Sequence, residues 1–402
     1  MTPAARLQAA IEILEAVINA AREGGAAADT LVQRYFQTRR YAGGGDRRAV
    51  RELVFGAVRA LGELPASGRA ALIGHLRGSD PEMLGLFGSG GHAPEALVPG
   101  EPEAVPGLAP AWLMARLRGR FGPETEAEVA ALLDRAPLDL RVNRLKADRA
   151  AVMAMLPEAE ALDWPDTALR MPAGTALETL PAFREGLVEV QDAGSQLAAA
   201  IVGARPGEAV VDLCAGAGGK TLALGASMLN KGRIVAMDVL GGRLERAKER
   251  FRRAGLHNIE TRSLSSERDK YVKRAAGKFD LVLVDAPCSG VGTWRRDPDK
   301  RWRQLGPGLS ALVPLQKSIL DSAHRLVRPG GRLVYATCSL LPEENELQVA
   351  DFIAAHPDFS VEPVSNKLKV DGVGDFLAMT PGRHDTDGFF AAVLRRKEAS
   401  IA

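Results

Sequence analysis

From residue 208 onward, five short apolar runs alternate with helical stretches. The runs are EAVVDLC (208–214), GRIVAMD (232–238), FDLVLVD (279–285), GRLVYATCS (331–339) and GFFAAVLRR (388–396). This rhythm narrows the fold more than any other feature. It predicts right-handed strand–helix–strand units and a mainly parallel sheet covered on both faces. Sheets of that kind bind ligands beyond the carboxyl ends of their strands. The chemically conspicuous residues of the chain lie at those ends.

At the first end, VVDLCAGAGGKT (210–221) joins strand to helix through glycines. Glycine lets backbone approach a ligand closely, and a helix N-terminus offers unpaired N–H groups. A phosphate-binding P-loop needs glycine at 214, where the chain has Cys214. A dinucleotide fingerprint beginning at Gly216 needs glycine at 221, where it has Thr221. Both patterns fail by one residue. S-adenosylmethionine needs no phosphate site, only close backbone approach and acids for its ribose and amino group. Asp238 ends the second run at a distance that suits ribose hydroxyls. Taken singly, Asp212 reads equally as a turn former and Asp238 as a helix N-cap; together they favour the nucleoside cofactor.

The chain has three cysteines, Cys214, Cys288 and Cys338. Cys288, in DAPCSG, and Cys338, in YATCS, each follow a strand, so a parallel sheet brings them to one edge. A lone buried cysteine is ordinarily a small hydrophobe. Two at a ligand edge, with Asp285 beside one, suit methylation at carbon 5 of a pyrimidine. That carbon is a poor nucleophile until a thiolate adds to carbon 6, and an acid on the base edge polarises the ring. The residues alone do not choose between the cysteines: DNA cytosine methyltransferases attack with a Pro-Cys cysteine placed like Cys288.

The N-terminal region is different. Residues 4–22 predict an amphipathic helix, and 34–64 a helix, a Gly-rich turn and a second helix. Arg34, Arg39, Arg40, Arg47, Arg48, Arg51 and Arg59 face few acids, Asp46 and Glu52 among them, which reads either as a solvated face or as a footprint for nucleic acid. Residues 78–110 are Gly- and Pro-rich and read as a linker or irregular loop. Helices at 110–120 and 124–134 precede LDLRVNRLK (138–146), an alternating strand pattern. TWRRDPDKRWR (293–303) mixes arginine and Trp, which suits phosphate contact and base stacking or, alternatively, a loop with buried Trp anchors. No apolar run reaches a membrane span, no spacing suggests a metal site, and three cysteines make no disulfide framework. A cytoplasmic protein is expected, with no membrane or metal partner.

The pieces DLCAGAGGKT, DAPCSGVGTWRRDPDKRW, YATCSLLPEENE, DGFFAAVLRR, LRVNRLK and VQDAGSQ together resemble the RsmB (Fmu) and NOL/NOP/Sun family of RNA 5-cytosine methyltransferases. DRRAVRELVFGAVR resembles the NusB-like helical domain of the RsmB branch. The resemblance implies an α/β chain: a Rossmann-like class I methyltransferase sheet (191–398), preceded by an all-α NusB-like domain with linker (1–110) and a small α/β RNA-recognition segment (111–190). It implies S-adenosyl-L-methionine as cofactor, a monomer, and RNA as partner, ribosomal RNA before tRNA. The nucleophile would be Cys338, with Cys288 assisting release and Asp285 contacting both cytosine and cofactor. Cofactor binding would fall to Cys214, Ala215, Gly216, Ala217, Gly218, Gly219 and Lys220, with Asp238 on the ribose and Arg243 and Ser263 nearby. Two departures stand out. Gly216-Ala217 replaces the family's Ala-Pro, freeing a backbone angle without removing a contacting side chain. Ser263 stands where the family tends to carry an acid near the adenine. A non-catalytic RNA-binding assembly factor is the contrasting reading, which the intact Asp285, Cys288 and Cys338 disfavour.

Overall fold

Helix α1 (Pro3–Glu23) begins where Thr2 caps it, its hydroxyl accepting from the Ala5 N–H, and ends at Gly24 in the left-handed region. The computed structural model describes residues 1–172, 174–303, 308–366, 368, 370 and 373–398. After α1 come α2 (Ala28–Gln37), α3 (Gly44–Ala60) and α4 (Gly68–Ser79). Leu7, Leu14 and Ile18 of α1 share one core with Val50, Val54 and Val58 of α3 and Leu72 and Leu76 of α4. The sequence expectations for these helices hold. Helices α5 (Ala111–Phe121) and α6 (Thr125–Ala131) follow.

The chain divides into two units, Met1–Arg135 with Thr293–Gly308, and Ala136–Gly292 with Leu309–Ala402. In the first unit, the Gly/Pro-rich region is irregular yet tied down. Phe87 packs in the helical core, the Ala104 N–H donates to the Ala70 carbonyl at 3.0 Å, and Arg69 pairs with Glu101. The arginine surplus is smaller than the local count suggests, since Glu12 pairs with Arg39 and Asp29 with Arg51.

The run 293–303 also belongs to the first unit, and here the stacking reading gives way to the buried-anchor one. Trp294 and Trp302 are 1% and 5% exposed. The Trp302 indole donates to the Leu61 carbonyl at 3.2 Å, while Arg301 donates to the carbonyls of Leu108 (2.7 Å) and Val58. Arg303 forms a buried ion pair with Asp299 (2.7 Å), whose carboxylate also accepts from the Ala28 N–H at the start of α2. Helix ends and buried indoles need such partners. These side chains are consumed by packing.

The second unit carries two sheets. The smaller is antiparallel, with β1 (Leu138–Val142), β2 (Glu160–Ala161), β3 (Ala168–Met171) and β4 (Val188–Val190) in the order β2-β3-β1-β4. The larger contains β5 (Ala209–Leu213), β6 (Arg233–Asp238), β7 (Ile259–Ser263), β8 (Phe279–Asp285), β9 (Val327–Thr337), β10 (Phe359–Glu362), β11 (Leu377–Met379) and β12 (Phe389–Arg396). Its order is β10-β12-β9-β8-β5-β6-β7, with β11 beside β12. β5 to β9 are parallel, as the apolar runs predict, whereas β12 lies antiparallel to β9, and β10 and β11 antiparallel to β12. Strand order reverses between β5 and β8. Sheets of this kind bind ligands at the carboxyl edge of such a switch point.

Candidate active site

The turn after β5 is made by three residues with left-handed backbone, Cys214 (φ 65°), Gly216 (φ 57°) and Gly218 (φ 79°). A Cβ at Gly218 would stand 2.6 Å from the Phe251 ring, and one at Gly216 would stand 2.8 Å from Arg243 Nη2. Glycine is therefore favoured at both positions by conformation, and at Gly218 also by the lack of room beside the Phe251 ring. The Arg243 guanidinium lies against the loop at Gly216. Cys214 adopts the same region without that freedom, a strained conformation costing on the order of 1 kcal/mol. Burial raises its thiol pKa, and the nearby Asp238, Asp285 and Asp212 charges raise it further, so the group stays neutral.

Asp238, at the end of β6, ties this turn to the next. One carboxylate oxygen accepts from the Gly216 N–H (2.8 Å), the other from the Leu240 N–H (2.7 Å). Each oxygen keeps a second lone pair for a ligand hydroxyl. Beside it, Val239 and Leu240 are more than half exposed, and a Cβ at Gly219 would meet nothing within 4 Å. Ser263 ends β7 directly opposite Asp238. A nucleoside with a methionine tail fits this donor set: a paired acid for the ribose, an exposed apolar step for the purine, and an open helix N-terminus.

At the neighbouring ends of β8 and β9 stand Asp285, Cys288 and Cys338. Lys220 Nζ donates to Asp285 at 2.8 Å; the lysine is 7% exposed and the aspartate 32%. Burial pulls the lysine pKa down, but the Asp285 charge and hydrogen bond outweigh it, leaving the ammonium firmly protonated; a charged Cys338 sulfur would reinforce that. Fifty residues apart in sequence, the Cys288 and Cys338 sulfurs lie 3.4 Å apart. The expectation that the sheet brings them together holds. Cys288 has its thiol pKa raised well above the ordinary value, first by its hydrogen bond with Cys338 and then by burial. It therefore keeps its proton, and either sulfur of the pair can donate to the other. The Lys220 ammonium lies within electrostatic reach of the Cys338 sulfur.

Asp212, fully buried beneath the loop, accepts from the Thr221 hydroxyl (2.5 Å). Its other oxygen has no partner among the described residues. Burial lifts its pKa to about 7. The sequence left its role open between acid and turn former.

Sequence reasoning missed a set of residues behind the loop. Arg141 of β1 donates to the Gly219 carbonyl (3.1 Å) and to the Gln191 side chain. Arg250 donates to the Ala217 carbonyl (2.6 Å), while Glu189 of β4 pairs with Arg250 (3.0 Å) and Arg253 (2.7 Å). The small sheet thus supports the carbonyls of the cofactor loop, directly through Arg141 and indirectly through the hold of Glu189 on Arg250. The signal was present in LRVNRLK and VQDAGSQ, but neither motif shows what its arginine or glutamine touches.

Two family models match, "16S rRNA methyltransferase RsmB/F" over residues 199–395 and an RsmF/B-like ferredoxin-like domain over 109–171. A probable ribosomal RNA small subunit methyltransferase B from Synechocystis sp. is 38% identical, the match covering 71% of this chain and 66% of that one. Ribosomal RNA small subunit methyltransferase B from Citrobacter koseri is 36% identical, with 72% and 67% covered. The chain belongs to the RsmB/F family. The matches span about two thirds of the length of these RsmB relatives. Among solved structures, PH0851 superposes with a TM-score of 0.79 at 27% identity, covering 97% of this chain and 99% of that one. A methyltransferase homologue from Pyrococcus horikoshii gives 0.62 at 27%, covering 72% and 96%. NSun6 from the same organism, solved with SFG, gives 0.65 at 21% and shows the fold alone. The larger sheet is thus the Rossmann-like sheet of S-adenosylmethionine-dependent methyltransferases, as the resemblance implied. Among the described residues, no helix is long and apolar enough to cross a membrane, and no group of three or more His, Cys, Asp or Glu is placed to hold a metal.

Proposed function

We propose that this chain methylates carbon 5 of a cytosine in RNA, with small-subunit ribosomal RNA as the first substrate, through a covalent adduct to Cys338. The observation that carries the reading is the facing thiol pair, 3.4 Å apart, beside the Lys220–Asp285 pair at the switch point of the sheet. Family membership and the names of the RsmB relatives support the substrate class. The three-part division into a NusB-like domain, a small RNA-recognition segment and the catalytic domain belongs to the same proposal.

S-adenosylmethionine, when bound, supplies an electrophilic methyl carbon; Asp238 and the loop 214–220 would hold it, with Arg243 and Ser263 beside them. The protein's own residues do the rest. Cys338 attacks carbon 6 as a thiolate, forming the sulfur–carbon bond and making carbon 5 nucleophilic. Asp285, anchored by Lys220, faces the base edge and polarises the ring as charge develops there. Once carbon 5 carries the methyl group, solvent water takes its proton, the freed electron pair restores the 5,6 double bond, and the sulfur–carbon bond breaks to return the thiolate. Cys288, protonated and against the same sulfur, stabilises the leaving thiolate. The base must leave its stack to reach Cys338, so single-stranded or looped RNA is the substrate form.

Wild type, Cys288→Ala and Cys338→Ala are to be incubated with S-adenosylmethionine and ribosomal RNA, then run on a denaturing gel. A trapped adduct with Cys288→Ala, and neither adduct nor methylation with Cys338→Ala, supports the roles. A trap with Cys338→Ala reverses them. Methylation of DNA of equal sequence, in preference to RNA, would sink the substrate assignment.

A further inference from the structure

One buried group links both cysteine turns and has no part in the chemistry above. Glu344, in the turn Pro342–Glu344 that follows β9, is 0% exposed. Its Oε1 accepts from the Ser289 N–H (2.8 Å) and from Gln316 Nε2 (3.0 Å). Its Oε2 accepts from the hydroxyls of Ser289 (2.5 Å) and Ser339. Ser289 directly follows Cys288, and Ser339 directly follows Cys338. Gln316 also donates to the carbonyl of Pro287, the residue before Cys288 (2.9 Å). The Glu344 main chain is held too, its carbonyl accepting from the buried Tyr335 hydroxyl at 2.6 Å. Four donors on one buried carboxylate make a complete set, and a buried charge persists only with such a set.

The sheet itself does not reach this far. Pairing of β8 with β9 ends at Asp285 and Ala336, and the Ala286 N–H makes the last ladder-like bond, to the Ala336 carbonyl. Beyond that point, the Gly292 N–H bond to the Cys338 carbonyl (3.0 Å) and the Glu344 carboxylate cross-tie the two turns.

We propose that Glu344 is a positioning residue that clamps the Cys288 turn to the Cys338 turn and so sets the distance between the two sulfurs. For its catalytic consequence, this rests on the two-cysteine reading above. Attack and release act on one adduct, so both sulfurs must be in register with the same carbon. A misplacement of about 1 Å costs about 10²-fold in rate.

Two variants separate geometry from charge. In Glu344→Gln the amide carbonyl still accepts from the Ser289 N–H and Gln316, while its NH₂ donates to the two serine hydroxyls, which rotate to accept. In Glu344→Ala every tie through the carboxylate is lost, while the Gly292 bond and the contact between the Ser289 and Ser339 hydroxyls still join the turns. The first readout needs no RNA. Diamide oxidises the two thiols to a disulfide as its azo bond takes up two electrons and two protons. Mass spectrometry then follows the Cys288–Cys338 bridge, with circular dichroism and the thermal midpoint confirming the fold.

Wild type and Glu344→Gln should bridge at similar rates, and folded Glu344→Ala at least about tenfold more slowly. If Glu344→Ala does not fold, the double variant Ser289→Ala/Ser339→Ala, which cuts only the hydroxyl ties, carries the same expectation. Bridging at the wild-type rate in the folded variant overturns the proposal. The second readout is methylation, in which Glu344→Ala should lower kcat about 10²-fold with KM for RNA little changed, and Glu344→Gln should restore it. Wild type that methylates no RNA would refute the function proposed above, while the diamide rates would still decide the role of Glu344.

Discussion

The segment from Asp285 to Arg303 contains two halves that look equally functional in sequence and end in different environments. In the first half, Asp285, Cys288 and Ser289 stand at the carboxyl edge of the large sheet, their polar atoms meeting Lys220, Cys338 and Glu344. In the second, Trp294, Arg301, Trp302 and Arg303 are buried in the helical unit, and the last three spend hydrogen bonds on main-chain carbonyls and on Asp299. Arginine and Trp are as useful for anchoring a helical core as for holding RNA. A residue type therefore indicates chemistry only once its partners are known. Groups whose partners are side chains at a sheet edge are available for reaction, and groups whose partners are buried carbonyls are not.

Substitutions on the two sides should break apart cleanly. The largest effect is expected at Cys338→Ala, which should lower methylation on the order of 10⁴-fold or more while leaving the thermal midpoint nearly unchanged, as measured by methyl incorporation and calorimetry. Trp302→Ala should do the reverse. Removing a buried indole from the helical core costs about 3–5 kcal/mol, read by denaturant unfolding. Binding of S-adenosylmethionine to the folded variant, followed by titration calorimetry, should stay at the wild-type level.

Asp212 sharpens the comparison through pH. Its folded-state pKa of about 7 lies above the ordinary value of 3.8, so between those values the folded chain holds a proton the unfolded chain has lost. The contribution of Asp212 to stability is therefore fully present below about pH 4, declines as pH rises to about 7, and stays lost above that. Asp212→Asn should flatten this slope and gain on the order of 2 kcal/mol at pH 8, compared by urea unfolding at pH 5 and pH 8. An unchanged slope would show that the buried carboxyl ionises as freely folded as unfolded.

Smaller effects probe the support behind the loop. Arg250→Ala removes the bond to the Ala217 carbonyl and should weaken cofactor binding about tenfold, as a charge-assisted hydrogen bond of about 1.5 kcal/mol would. Smallest is Arg51→Ala on the helical unit. Its pair with Asp29 is about half exposed on both sides, so unfolding should shift by less than about 0.5 kcal/mol.

Much of the site was legible because its parts lie at strand ends. Asp238, Asp285, Cys288 and Cys338 each terminate or follow a run whose apolar content marks a buried parallel strand, and the switch-point geometry then gathers them. β7 was harder, since IETRS is only partly buried and shows little apolar signal. The antiparallel edge could not be read either, because GFFAAVLRR has the same composition whichever way it runs. Arg141 and Glu344 were missed for a related reason: each acts through partners remote in sequence, the Gly219 carbonyl for one and Ser289 for the other.

Local chain chemistry determined the succession of strands and helices, the left-handed glycines of the cofactor loop and the edge at which the cysteines would appear. These follow from periodicity of two or 3.6 residues and from which residues tolerate positive φ. Tertiary structure alone decided which arginines and Trp residues became scaffold, how closely the two cysteine sulfurs approach and which buried carboxylate came to join the two turns. Those outcomes depend on desolvation and on hydrogen-bond partners supplied by distant segments, and neither is encoded in the spacing of neighbouring residues.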